Sequence, residues 1–148
     1  MTHVRKQIRD RLVSTTLDDL ATTGSNVFNS HVYDAQVANS LFVYTTNETI
    51  AADNMGRPIT QERELTIRIE AIAKGDAGAV ADTLDQIAVE VEHAVYADLN
   101  LNGLVKDIDL NETELTFSSD GDAPTGGMRL TYVATYRTKE NDVETAIG

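Results

Sequence analysis

Asp98, Asn100, Asn102, Gly103 and Asp109 carry the spacing of a calcium-binding loop. Calcium takes several oxygen ligands from a tightly turned segment, and Gly103 would permit the turn. Val105 stands where such loops carry an apolar residue. Three features oppose the reading. The last ligand is Asp109 instead of the longer Glu that binds through two oxygens, Lys106 occupies the place where a water ligand is usually held, and the residues after Asp109 pattern as a strand. The same residues suit a helix end closed by Asn102 and Gly103 in left-handed conformations. That helix end is the preferred expectation, with Asp98, Asn100, Asn102 and Asp109 as the candidate calcium set.

Other reactive side chains form weaker groupings. His3, His31 and His93 are far apart in the chain, and His93, between Glu92 and Ala94, fits a helix surface better than a catalytic base. Ser14, Ser25, Ser30 and Ser40 lack the glycine-flanked elbow of an α/β hydrolase, and no phosphate-cradling glycine loop occurs. Carboxylate pairs are plentiful: Asp82 with Asp85, Glu90 with Glu92, Asp107 with Asp109. All lie in polar runs, whereas a general acid needs a buried carboxyl with a raised pKa. The chain has no cysteine, which removes disulfides, thiolate metal sites and a thiol nucleophile and points to a cytoplasmic place of assembly. We therefore expect no catalytic residue and no cofactor, and a role in assembly.

The elements that would position these groups follow from periodicity. In residues 63–73, Leu65, Ile67, Ile69 and Ala71 alternate with Thr66, Arg68, Glu70 and Ile72, the pattern of a strand with one apolar face. After a break at residues 74–78, Val80, Leu84, Ile87, Val91 and Val95 draw one stripe down a helix. Residues 2–21 keep helical spacing through Val4, Ile8, Leu12, Leu17 and Leu20, with Thr2 as the N-cap and an end near Gly24. Val27 and Phe28 read as a short strand and residues 41–46 as a buried one. Residues 48–62 read as a loop far longer than the usual two to five or so between antiparallel strands. Strands are expected at 110–118 and 128–138, with a turn at 119–127 between them.

The order helix, strands, helix, strands predicts an α+β fold: a mostly antiparallel β-sheet with two main α-helices packed on it and a long loop between two strands. At 148 residues the chain suits one domain, taken as 1–138, followed by a polar C-terminal arm at 139–148. No stretch approaches the ~20 apolar residues of a membrane span, and no apolar run follows the basic N-terminus as a signal peptide requires. Twenty-four acidic against twelve basic residues give a formal charge of −12, which repels phosphate backbones. Arg5, Lys6, Arg9 and Arg11 are the local exception, and a solvated helix face is the preferred reading of them.

Taken together the elements resemble the tail terminators (minor tail protein U type) of lambda-like long-tailed bacteriophages. The resemblance is carried by His3, Ile8 and Leu12 in the first helix, Val27 and Phe28 after Gly24, residues 41–45 and 63–70, the run 101–108, and Arg129, Leu130, Thr131, Tyr132 and Tyr136. This chain departs from it in a longer stretch at 29–40 and in its polar tail. The resemblance implies a non-enzymatic virion protein at the head-proximal end of the tail. It would form a homohexameric ring that caps the tail tube, stops tube polymerisation and presents a surface to the head-side connector. Its partners would be further copies of itself, the tail tube protein and the connector, with DNA passing through the ring without specific binding. A ring needs a repeated heterologous contact, and the segment around Asp53, Asn54, Met55, Arg57 and Pro58 is the expected interface. The alternatives are a head-tail connector or neck protein, a tail tube subunit, a calcium-binding module and a small acid/base hydrolase.

Overall fold

The computed structural model describes residues 2–24, 26–29, 39–75, 77–118 and 125–147. In chain order the elements are helix α1 (Val4–Arg11), continued by a π-helical turn (Leu12–Thr16), strands β1 (Val27–Phe28), β2 (Ser40–Ala52) and β3 (Thr60–Lys74), helix α2 (Ala77–Ala97), and strands β4 (Asp107–Ser118) and β5 (Thr125–Lys139). The strands form one sheet in the order β1-β2-β3-β5-β4. Every pairing is antiparallel except that of β1 with β2. This is the expected α+β architecture.

Both strongly periodic segments lie face to face. Leu65, Ile67, Ile69 and Ala71 of β3 and Leu130, Tyr132 and Ala134 of β5 are buried beneath Val80, Leu84, Ile87, Val91 and Val95 of α2. Val4, Ile8 and Leu12 of α1 extend the same core toward β2. Burying a large aliphatic side chain contributes about 1.5–3 kcal/mol, so this one layer supplies most of the driving force. At the top of the layer α2 comes very close to β5. A Cβ built on Gly126 would lie 2.4 Å from Val80 Cγ1 and 2.9 Å from Leu84 Cδ1. The position therefore demands glycine.

Four expectations change. The long loop is only residues 53–59, because β2 runs on to Ala52 and β3 starts at Thr60. These strand ends are largely solvent-exposed and polar, and so lack the apolar alternation that betrays a strand. The turn expected at 119–127 loses its last three residues to β5, where Gly126 answers the approach of α2; residues 119–124 lie outside those described. α1 ends early: Leu17 N donates to Leu12 O at 2.9 Å, closing a wide π turn, and Asp19 takes a positive φ of 62°. Its cap is His3, whose Nδ1 accepts from Arg5 N at 3.1 Å, in the place expected for Thr2. Register shifts interrupt the ladders between Thr45 and Asn47 in β2 and between Leu110 and Glu112 in β4.

Candidate functional site

Past Thr45 the β2–β3 hairpin leaves the cover of the helices and projects as an arm. Its tip holds the five expected interface residues together. Asp53 N donates to Thr60 O at 2.7 Å, and Thr60 N donates to Asn54 Oδ1 at 2.8 Å, which squares off the loop. Arg137 on β5 reaches Asp53 at 2.8 Å. The Arg57–Pro58 peptide is cis, and Met55 stands fully in solvent. Residues beyond Lys139 fold back onto this loop. Glu140 accepts from Ile59 N at 3.0 Å and from Arg57 at 2.6 Å, while its own N–H donates to Ile59 O. The Ile59 N–H and then the Arg57 guanidinium hold the Glu140 carboxyl below the usual carboxylate range. Further along, Val143 O accepts from Val4 N at 2.9 Å, and Glu144 O accepts from Gln7.

At the root of the arm the apolar layer gives way to a buried polar knot. Arg63 Nη1 donates to Glu48 Oε1 at 2.6 Å, Tyr136 Oη donates to Glu48 Oε2 at 2.7 Å, and Arg63 Nη2 donates to Gln61 at 2.8 Å. The Glu48 and Arg63 side chains are 7% and 8% exposed, so each charge depends on the other. Arg5 of α1 adds a longer contact to Glu48 at 3.5 Å. Burial, then the Glu48 hydrogen bond, raises the Tyr136 phenol well above its ordinary value. Partial burial and the cation of Arg5 lower the pKa of His3, in keeping with a neutral ring that accepts a backbone N–H. No sequence expectation brought these residues together. The signal was Arg63 itself, which shares the alternation of Leu65 and Ile67 and is therefore a cation on the core face.

The face of the sheet opposite the helices carries a second polar line across four strands. Tyr44 Oη donates to Glu70 at 2.5 Å, Arg129 Nε donates to Glu70 at 2.9 Å, and Arg129 Nη1 reaches Glu114 at 3.5 Å. A shallow depression of about 280 Å³ lies beside it, lined among others by Ile72, Thr116 and Gly127. On the neighbouring row Glu112 is pushed up by its contact with Glu114.

The calcium candidates fall in two places. Asp98 accepts from Arg11 Nε at 3.0 Å and from Thr16 Oγ1 at 2.8 Å. Burial pushes this carboxyl upward, but these hydrogen bonds and the Arg11 charge outweigh it and hold the pKa below the usual range. Leu101, Asn102 and Gly103 all take positive φ, 46°, 58° and 87°, in the turn that follows the end of α2 at Ala97, with Leu101 buried beneath. Asn100 O accepts from Gly103 N and Val105 N, and Asp109, in β4, is paired with Val133 of β5. Among the described residues no group of three or more His, Asp or Glu stands where it could hold a metal ion. Glu90 ties down the loop after α1 through Thr22 N and Oγ1 at 2.8 and 2.6 Å. Burial opposes the ionised form of Glu90, and these bonds outweigh it, leaving its pKa lowered. Asp82, Asp85, Glu92 and His93 are exposed on α2, and Asp107 is exposed at the start of β4. Ser14 donates to Asp10 O and Ser40 is buried; His31, Ser25 and Ser30 lie outside the described residues.

No protein-family model matches the chain, and no curated protein matches it. Solved structures do. A chain from the virion of a native gene transfer agent particle is similar over 92% of this chain and 92% of its own length, with 19% identity and a TM-score of 0.50. At that identity the likeness is one of fold.

Proposed function

We propose that this chain is a structural subunit of a phage-type virion and, within that class, a tail terminator. Copies form a ring that caps the tail tube, ends its polymerisation and offers the opposite surface to the head-side connector. The observation that carries the reading is the fold likeness, which spans nearly all of both chains and joins this protein to a component of a virion particle. The arm supports it. A tip with a fully exposed methionine beside Asp53, Asn54, Arg57 and Pro58 suits a contact made only when a partner arrives. A charge of −12 suits an annulus through which DNA slides without sticking. The polar knot beneath the arm fixes its direction relative to the core instead of performing chemistry.

The test is twofold. Sedimentation across a concentration series should give a closed oligomer, hexameric in the family the sequence resembles. Adding the protein to growing tail tubes should shorten them and leave capped ends in negative-stain images. A chain that remains monomeric at all concentrations and leaves tube length unchanged overturns the reading. A protein that polymerises alone into long tubes would be a tube subunit.

A further inference from the structure

The sheet has an open backbone edge at each margin. β4 runs Asp107–Ser118, and among the described residues only β5 pairs with it. At the other margin β1 pairs only with Leu41 and Phe42 of β2. Residues 45–52 of β2 therefore have β3 on one side and, among the described residues, no strand on the other. Lysine and proline, which commonly blunt such edges, are missing from both stretches.

The two edges suit each other in direction and in face. Three antiparallel pairings separate β2 from β4, so the two strands run in opposite directions. Copies repeated side by side in one orientation, as in a ring, would bring β4 of one beside β2 of the next as an antiparallel pair, with the helices all on one side. On that side β2 offers Ile50 and Ala52, and β4 offers Leu110, Leu115 and Phe117. Ile50, Leu110, Leu115 and Phe117 are 51%, 37%, 49% and 56% exposed. On the opposite face β4 carries Asp109, Glu112 and Glu114, and β2 carries Asn47, Thr49 and Ala51, which have no charge. Two β4 edges paired across a two-fold would instead set those acids against one another, which disfavours that arrangement.

Resting on the ring reading above, we propose that β4 of one copy adds to the outer edge of the β2 arm of the next, so that one sheet continues from subunit to subunit. Strand lengths fix the register. Measured along β3, residues 45–52 span the level of Ile67 down to that of Gln61, and β4 spans the level of Glu64 up to that of Lys74. Neighbouring copies must be offset by an even number of residues, or the faces would invert. Four is the smallest such offset that sets all of 45–52 against β4, and it places Ile50 opposite Leu110. That offset is roughly 13 Å along the strands, and the four strands from β2 to β4 are roughly 19 Å across, which corresponds to a tilt of about 35°. Closed sheets tilt their strands by about 35–45°, so the register that fills the edge is one a ring accepts. The contact is heterologous, and its closure leaves neither edge open.

The chain has no cysteine, so introduced thiols are the only ones present. Ile50→Cys and Leu110→Cys chains, mixed and mildly oxidised, should give linked dimers containing one of each, while neither variant alone does. When the unmodified chain assembles, amide hydrogen exchange should slow in residues 45–52 and 108–115 together, which docking on either sheet face would not produce. Leu115→Lys, at a half-exposed position, should raise the concentration needed for self-association about tenfold and leave the melting temperature nearly unchanged. Four results would overturn the inference. Linked dimers from Leu110→Cys alone would mean that β4 pairs with β4. Protection confined to residues 108–115 would give that edge to a strand of a different protein. Rings that cap tubes while both edges exchange as fast as in the monomer would refute this contact and leave the ring reading intact. A chain monomeric at all concentrations would sink both.

Discussion

The two ends of β2 share a backbone geometry and differ in everything else. At its start Leu41 and Val43 are fully buried under the helices; past Thr45 almost every residue meets solvent. The covered half is held by area removed from water, the projecting half by its ladder to β3, the polar knot and the returning C-terminal segment. Stability is thus concentrated in one half of the sheet, and the surface free to meet partners in the other.

The sharpest break between the halves should come from the knot. Glu48→Ala strands the Arg63 cation in a buried site and should cost about 3–5 kcal/mol, measured by urea unfolding. A cost below about 1 kcal/mol would mean the root is solvated and the halves are not distinct. In the covered half, Leu84→Ala should cost about 2–5 kcal/mol by loss of transfer energy plus the cavity left behind. Gly126→Ala tests the close approach of α2; the added methyl must displace Val80 and should cost about 1–3 kcal/mol, seen as a lower thermal midpoint.

Alkali probes the same boundary. The folded Tyr136 and Tyr132 phenols titrate above the usual value because burial disfavours the phenolate. The unfolded chain therefore loses those protons first, so stability is intact below about pH 10 and falls as pH rises beyond it. Tyr136→Phe should flatten that fall in denaturant titrations; an unchanged slope would refute the assignment. The smallest effect on folding is expected at the tip. Met55→Ser should change stability by less than about 0.5 kcal/mol. If the ring reading holds, it should still weaken capping of tubes, and a loss of both together would erase the contrast drawn here.

How much of this the sequence disclosed follows the same division. β3 and α2 were legible because each buries one face against the other, which forces Leu65, Ile67 and Ile69 into alternation and Val80, Leu84 and Ile87 into a stripe. The arm was not, because a strand wet on both faces is free of that constraint: Thr49, Ala51 and Gln61 read as loop yet lie in the ladder. α1 misled in the opposite sense. Leu17 and Leu20 keep helical spacing, but the π turn at Leu12–Thr16 has already ended the helix, and periodicity does not register a change in backbone winding. The tip residues were found by composition alone, through Asn54, Gly56 and Pro58. The knot went unread because it joins Glu48, Arg63 and Tyr136 from three strands.

The register shift after Thr45 has a consequence for that knot. Side chains alternate strictly along a strand, so the additional residue Thr46 exchanges the faces of everything beyond it. Odd positions Leu41 and Val43 point at the helices before the shift; even positions Glu48 and Ile50, opposite Leu65 and Arg63, point there after it. Deleting Thr46 would remove the bulge and leave Asn47 opposite Thr66 and Glu48 opposite Leu65 in simple alternation, so the carboxylate would stay on the side of its arginine. Forcing Thr46 into line with the ladder, so that the bulge is lost and the residue kept, is what would turn the limb's side chains over.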